Sequence, residues 1–582
     1  MKRILLPLVL MMSTLTGTAE EPRTIQLHIV ETTDVHGNFF PYNFITRKPW
    51  QGSMARVATF VDSLRAEKGK ENVILLDNGD ILQGQPTAYY FNFIDTVTPN
   101  IASRIYDYLD YDVATIGNHD VETGHAVYDR WIRQTSTPVL GANVINKSTG
   151  DTYLKPYTII ERQGLKIAVL GMLTPAIPAW LPEPIWAGME FDDMVPTAAK
   201  WIPIIKETEN PDMIIGLFHS GHDATRRTGK WIENASCLVA EEVPGFDIVF
   251  IGHDHQRFNE RCGADSVAVL NPANNAVAVA EATVTLTIDA DGKVVAKHIE
   301  PEIHDIADIT PSESYLKHFD ADRTAVDKFV DRVIGTAKGE FSSRDSYFGP
   351  SAFIDLIHKL QLDITGADIS FAAPLSADAV IAKGPVRVSD MFNLYKYENL
   401  LYTMEMTGDE IARYLERAYD VRLNHDPVAN GHLLLFESDS PTLTDNRLKN
   451  PAYNFDSAAG INYTVDVTKP RGERVNITSM ADGKPFDRNA TYRVAVNSYR
   501  GNGGGDHMTK GAGIDAEKLK ERIVASTDLD LRYYMMQQIE RDGVITPTVI
   551  GNWNFVPADV VAPLIETDMR LLFSPESSKN QK

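Results

Sequence analysis

The chain has 582 residues, 43% hydrophobic and 23% charged, which calls for two or three globular domains rather than one core. Its formal net charge of −23 sets it apart from proteins that grip a nucleic-acid duplex, which carry a basic face. An acidic protein can still bind a small anion where metal ions supply the positive charge locally.

At the N-terminus, Lys2 and Arg3 precede an apolar run from Ile4 to Met12 and a small-residue stretch, Thr16-Gly17-Thr18-Ala19. That is the layout of a cleaved secretory signal over residues 1–19. The apolar run is too short to cross a bilayer, no cysteine lies near the cleavage site, and no later tract is long enough to span. The mature protein is therefore expected outside the cytoplasm, periplasmic or extracellular, with no stable membrane anchor. Cys237 and Cys262 are the only cysteines. In an oxidising compartment they could pair, and the spacing leaves a free buried pair equally open.

From residue 20 to 304 the pattern alternates short β-rich runs with amphipathic stretches. It predicts strands at Ile25–Glu31, Val73–Asp77, Asp112–Ile116, Lys166–Leu173, Asp212–Phe218, Asp247–Ile251 and Val267–Asn271. Helical patterns cover Ser53–Lys68 and Met194–Glu207. Runs such as VILLD, MIIGLF and DIVFIG are apolar on both faces, so the expected class is layered α/β with buried sheets. Residues 305–348 are charged and read as a connector. Residues 349–565 form a second mixed α/β domain, with helices at Ser351–Gln361 and Gly408–Ala418 and strands at Leu400–Met406, Ile461–Val467 and Tyr492–Val496. Residues 566–582 read as a polar tail.

The polar residues of the first half fall at strand ends. Asp34 and His36 follow the first strand, Asp80 the second, Asn118 and His119 the third, His219 another, and His253 and His255 one more. One such histidine means little, but D-x-H and H-x-H place alternate residues on one side of an extended segment. Five fragments, each at a strand end where open α/β sheets build their sites, point to a metal centre. A buried structural network explains them poorly, because unpaired buried Asp and His are costly. Imidazole and carboxylate donors suit Zn, Mn, Co or Fe and match Ca²⁺ badly.

The order D-x-H, G-D, G-N-H, H, G-H-x-H resembles the calcineurin-like metallophosphoesterases. The resemblance implies a sandwich of two β-sheets flanked by helices, and two divalent metal ions. It assigns Asp34, His36, Asp80 and His255 to one metal and Asp80, Asn118, His219 and His253 to the other, with Asp80 bridging. Two such ions about 3.5–4 Å apart activate a hydroxide for attack on phosphorus. His119 would stabilise the transition state or protonate the leaving group, and Glu122 would orient it. A solvated Glu122 at a helix start is the competing reading.

In the second half, "RVSDMFNLYKYENLLYTMEMTGDEI", "YNFDSAAGINYTVDVTKPRGERV" and "YRVAVNSYRGNGGG" resemble the C-terminal domain of the 5'-nucleotidase family. They are most similar to its 2',3'-cyclic-nucleotide 2'-phosphodiesterase/3'-nucleotidase branch. That resemblance implies a nucleobase sandwiched by Tyr397 and Tyr499, with Asn502, Gly503 and Gly504 beside it. Stacking of this kind is worth about 1–3 kcal/mol per base, although most tyrosines in such segments are half-buried packing residues. The expected activity is hydrolysis of 2',3'-cyclic and 3'-nucleotides to nucleoside and phosphate. A 5'-nucleotidase or nucleotide-sugar hydrolase is the alternative, and a non-catalytic exported nucleotide-binding protein is the alternative of another class. Base slot and metals fall in different domains, which places a hinge in Ile334–Phe348. The oligomeric state is left open.

Overall fold

The computed structural model describes residues 22–225 and 227–574. The signal-like segment 1–19 and the tail beyond residue 574 lie outside the described residues.

The N-terminal domain is a sandwich of two six-stranded sheets. One runs Val294–Asp305, Ala278–Ile288, Arg23–Thr32, Val73–Asp77, Val113–Thr115 and Val139–Leu140. The other runs Arg257–Cys262, Val267–Pro272, Ile248–Ile251, Met213–His219, Leu165–Leu173 and Tyr157–Arg162. Alternation along each strand decides what goes where. Leu27 and Ile29 face Val169, Ile215 and Phe250 between the sheets, while Val30 faces the helices outside. Met54–Lys68 begins where the Ser53 side chain accepts the Arg56 N–H, a serine N-cap, and buries Met54, Val57 and Val61 on the first sheet. Met194–Glu209 covers the second sheet through Ala198, Ile202 and Ile205.

In both sheets the central strands are parallel, so their carboxyl ends open on the same side. That geometry sets the position of the site.

The C-terminal domain holds a five-stranded mixed sheet, ordered Ser457–Ala459, Ile369–Ala372, Thr491–Asn497, Leu401–Thr407 and Ile523–Ser526. Two three-stranded sheets flank it. Gly408–Arg422 starts on a capping box, with the Thr407 side chain accepting the Glu410 N–H and Glu410 accepting the Thr407 N–H. It buries Ile411, Tyr414, Leu415 and Tyr419. Cys237 and Cys262 are joined by a disulfide, with Cα atoms 5.7 Å apart.

Three expected boundaries need correction. The segment 305–348 does not stand apart as a connector. Helices Glu313–His318 and Asp320–Asp331 bury Tyr315, Phe319, Val326 and Val330 in the N-terminal core. The chain then crosses near Arg332, and Val333–Ala337 pairs with Gly384–Arg387 of the second domain. Ile334–Phe348 is therefore part of that domain, with Ile334, Ala337, Phe341, Tyr347 and Phe348 all buried, rather than a hinge. The tail cannot begin at residue 566, because helix Ala558–Phe573 continues through it and buries Asp568, Leu571 and Leu572.

One side chain ties the domains together. Tyr89, in the short helix Pro86–Tyr89, is 1% exposed and sits in a C-terminal cluster with Phe392 and Leu531. Its hydroxyl donates to Asp530 Oδ2 at 3.2 Å, and the Arg532 guanidinium lies 5.2 Å from its ring centroid.

Candidate active site

All seven expected metal ligands converge at the carboxyl ends of the parallel strands. His219 closes strand Met213–His219, Asn118 opens the short helix Asn118–Glu122, and the others sit in the turns just beyond their strands. Five of them hold left-handed backbone: Asp34 (φ 50°), His36 (φ 50°), Asp80 (φ 56°), His253 (φ 73°) and His255 (φ 58°). Non-glycine residues in that region each cost about 1–3 kcal/mol and persist where the surroundings over-determine them, typically at functional sites. Asp34 N–H donates to Gly79 O and His36 N–H to Asp80 O, so the two turns hold each other in place.

Asp34, His36 and His255 bring one donor atom each within 4.8 Å of one another, and so do Asp34, Asp80 and His219. Asp34 is thus common to both groups, and Asp80 belongs to the second. Asn118 Oδ1 completes the second corner, 2.7 Å from His253 Nδ1 and 3.1 Å from His219 Nε2.

The protons already committed show what this cluster lacks. His36 Nδ1 lies 3.0 Å from Gln83 O and His219 Nδ1 lies 2.6 Å from Asn78 O, so each must donate there. In the neutral rings, Nε2 is then a lone pair aimed inward. His219 Nε2 meets Asp80 Oδ2 at 3.1 Å, and His36 Nε2 meets His255 Nε2 at 3.0 Å. Asp34 Oδ1 is buried with no well-aligned hydrogen-bond donor among the described residues, His255 Nε2 lying 3.2 Å away. Acceptors facing acceptors need a proton or a metal cation between them, and these residues fit divalent metal ions.

Electrostatics mark the same demand for positive charge, which a proton on His219 meets when no metal does. Burial opposes ionisation of Asp34 and Asp80, yet His219 and its neighbours hold both carboxyls below the usual range. Burial lowers His219, but Asp80 and Asp34 outweigh it and raise the imidazole to about 10. Desolvation, with His255 alongside, lowers His36 to about 3, leaving it neutral as a ligand must be.

His119 stands beside the cluster rather than in it. Its backbone N–H donates to Asp80 Oδ1 at 2.8 Å, and its Nδ1 lies 2.6 Å from Glu122 Oε2. Both residues belong to the short helix Asn118–Glu122, three apart and so on one face. Burial lowers His119, but Asp80 and Glu122 outweigh it and raise it to about 9. Nε2 makes no hydrogen bond among the described residues, and the ring borders the cavity below.

Two supporting carboxylates escaped the sequence reading. Asp120 accepts the backbone N–H groups of Asp80, Ile81, Leu82 and Gly117 at 2.8–2.9 Å and fixes the Asp80 turn. It lies inside the GNHD motif, and adjacency was the only signal. Glu233 Oε1 lies 3.2 Å from His253 Nε2, the kind of carboxylate partner that would orient a metal-ligating imidazole. Nothing in its local sequence marks it.

A cavity of about 220 Å³ runs from this centre into the C-terminal domain. Asn118, His119 and His253 form one end, and Tyr397 and Tyr499 the other. Tyr453 joins them; it lies edge-on to Tyr397 (6.5 Å, 90°) and to Tyr499 (6.2 Å, 88°) and closes the slot between them. Trp180 lines the passage with its ring 5.6 Å from that of His253. Trp180 sits in no motif, and Tyr453 opens the quoted segment YNFDSAAG without a role having been assigned to it. Asn502, Gly503 and Gly504 do not line the cavity. Asn502 Nδ2 donates to Trp180 O at 3.1 Å across the domain boundary. A Cβ on Gly504 would fall 2.6 Å from the Tyr499 ring, so this glycine lets the ring lie against the backbone.

Comparison with known proteins accords with this geometry. Residues 27–257 match the calcineurin-like phosphoesterase family and residues 333–511 the 5'-nucleotidase C-terminal domain. The chain is 25% identical to a 2',3'-cyclic-nucleotide 2'-phosphodiesterase/3'-nucleotidase of Yersinia enterocolitica, covering 97% of this chain and 92% of the relative. It is 27% identical to a protein of that name from Haemophilus influenzae, covering 92% and 88%. A putative 5'-nucleotidase from Staphylococcus aureus shares the fold, with a TM-score of 0.74 at 21% identity over 91% of this chain and 99% of that one. The chain therefore carries a calcineurin-like phosphoesterase domain followed by a 5'-nucleotidase C-terminal domain, and is a metal-dependent phosphoester hydrolase.

Proposed function

We propose that this protein is an exported enzyme that hydrolyses 2',3'-cyclic nucleotides and 3'-nucleotides to nucleoside and phosphate. The observation that carries the reading is one cavity bounded by the candidate ligands Asn118 and His253, by His119 and by three tyrosines. The full-length relatives named for this pair of activities support the choice of ester.

Asp34, His36 and His255 would hold one divalent ion, and Asp80, Asn118, His219 and His253 a second, with Asp34 or Asp80 shared. Ions held there supply Lewis acidity toward phosphoryl oxygens and make water nucleophilic near neutral pH. The rest is done by the chain. Tyr397 and Tyr499 take the base between their faces and Tyr453 limits its depth, so the ribose and phosphate point to the other end of the cavity. Glu122 accepts from His119 Nδ1 and presents Nε2–H to the leaving ribose oxygen, which takes that proton as the P–O bond breaks. Asp120 keeps the Asp80 turn from relaxing. The Cys237–Cys262 disulfide supports an oxidising compartment.

The test is a panel of 2',3'-cyclic AMP, 3'-AMP, 5'-AMP and UDP-glucose assayed with Mn²⁺. The cyclic and 3' esters are expected to have the highest kcat/KM. Preference for 5'-AMP would overturn the assignment in favour of a 5'-nucleotidase.

A further inference from the structure

Three segments far apart in sequence build the tyrosine slot, and one buried side chain joins two of them, 451–456 and 499–507, while Tyr397 comes from the segment ahead of strand Leu401–Thr407. Arg500 is 2% exposed. Its Nη2 donates to Tyr453 O at 2.8 Å and pairs with Asp456 Oδ2 at 2.8 Å. Its Nη1 donates to Gly504 O, and both Nη groups reach Asn454 Oδ1 at 3.3 Å. The same guanidinium carbon lies 5.5 Å from the Tyr499 ring centroid. His507 repeats the link, with Nδ1 2.9 Å from Gly505 O and Nε2 3.0 Å from Asn454 O. A Cβ on Gly505 would fall 2.1 Å from Arg500 Nη1, so the loop closes onto the guanidinium with no room to spare.

We infer that Arg500 is the positioning residue of the base slot: its fork fixes Tyr453 and Tyr499 relative to each other and so sets the geometry that admits a base. The inference rests on the reading that the slot takes a base. A rigid planar fork suits the task, because it spends N–H groups on Tyr453 O, Asn454 Oδ1 and Gly504 O at fixed angles while its charge pairs with Asp456. A lysine keeps the charge beside Asp456 and avoids a buried unpaired carboxylate, yet cannot reach all four partners at once. Exchanging one for the other therefore separates shape from charge.

The experiment compares 2',3'-cyclic AMP with 4-nitrophenyl phosphate, which has no base, in the wild type, Arg500→Lys, Asn454→Ala and Tyr499→Ala, with thermal unfolding followed in parallel. Arg500→Lys is expected to lower kcat/KM for the nucleotide at least tenfold relative to the aryl ester, mostly through KM. Asn454→Ala is expected to do the same to a smaller extent, and it carries the test should Arg500→Lys fail to fold. A purely structural role would lower the melting temperature and depress both esters together, and that outcome overturns the inference. If Tyr499→Ala shifts the ratio but neither loop variant does, the slot stands and Arg500 is not its positioner. If Tyr499→Ala also leaves the ratio unchanged, the base-slot reading itself falls.

Discussion

The metal centre and the tyrosine slot face each other across one cavity but are held in place by opposite means. The centre grows from the ends of parallel strands, and its five left-handed residues, in three turns, are held by hydrogen bonds such as Asp34 N–H to Gly79 O. The slot is made of loops, and side chains hold it: Arg500, Asn454 and His507 do for Tyr453 and Tyr499 what the sheets do for the ligands. A sheet-end site can carry strain because buried strands resist relaxation. A loop site depends on a few polar groups, each of which can be removed without unravelling a sheet.

That contrast can be broken in several ways, beginning with the largest effect. Chelation is expected to abolish turnover while leaving the slot able to bind a nucleoside, measured by titration calorimetry with adenosine before and after treatment. Loss of both together would show that the two regions are not separately organised. His119→Ala is expected to lower kcat by roughly 10²–10⁴-fold, the range for losing a general acid or base. Unchanged KM in the same assay would keep the effect on the metal side of the cavity.

Tyr89→Ala comes next. A buried aromatic deleted from a single core costs about 3–5 kcal/mol, and Tyr89 sits where the two domains share a cluster. Calorimetry is expected to show the transitions of the two domains moving apart, and an unchanged trace would break the claim that this ring couples them.

The smallest effect tests the sheet away from both regions. Glu281 lies between His28 Nδ1 at 2.7 Å and His304 Nε2 at 2.9 Å. Burial raises its carboxyl, but the two histidines outweigh that and bring it from 4.5 down to about 2. Its stabilisation is therefore present above pH 4.5 and lost as pH falls toward 2. His304 is raised above 6.5 chiefly by the Glu281 hydrogen bond, so its share is full below pH 6.5 and lost as pH rises through the raised value. Glu281→Gln is expected to flatten melting temperature against pH at both edges of that window, with both esters' kcat/KM unmoved.

The same contrast governed what could be read before the structure was known. Candidate ligands such as His253 and His255 stood out because metal chemistry admits few side-chain types and strands place them at period two. Tyr397 and Tyr499 came through resemblance. Tyr453 did not, because only tertiary folding brings residue 453 against residue 499, and a tyrosine beside a turn looks like any packing residue. The glycines at 503 and 504 read as a ligand loop, whereas Gly504 makes room for the Tyr499 ring. The 305–348 segment looked like a linker because its charge masked a helical stripe. Tyr315, Phe319, Val326 and Val330 carry that stripe into the N-terminal core.

The central claim is that the metal centre and the tyrosine slot act on one substrate molecule. Its most direct test is the ratio of kcat/KM for 2',3'-cyclic AMP to that for 4-nitrophenyl phosphate in the Tyr397→Ala/Tyr499→Ala double variant. Loss of stacking on both faces is expected to collapse that ratio at least tenfold, consistent with about 1–3 kcal/mol per stacked base. A ratio equal to that of the wild type would contradict the account.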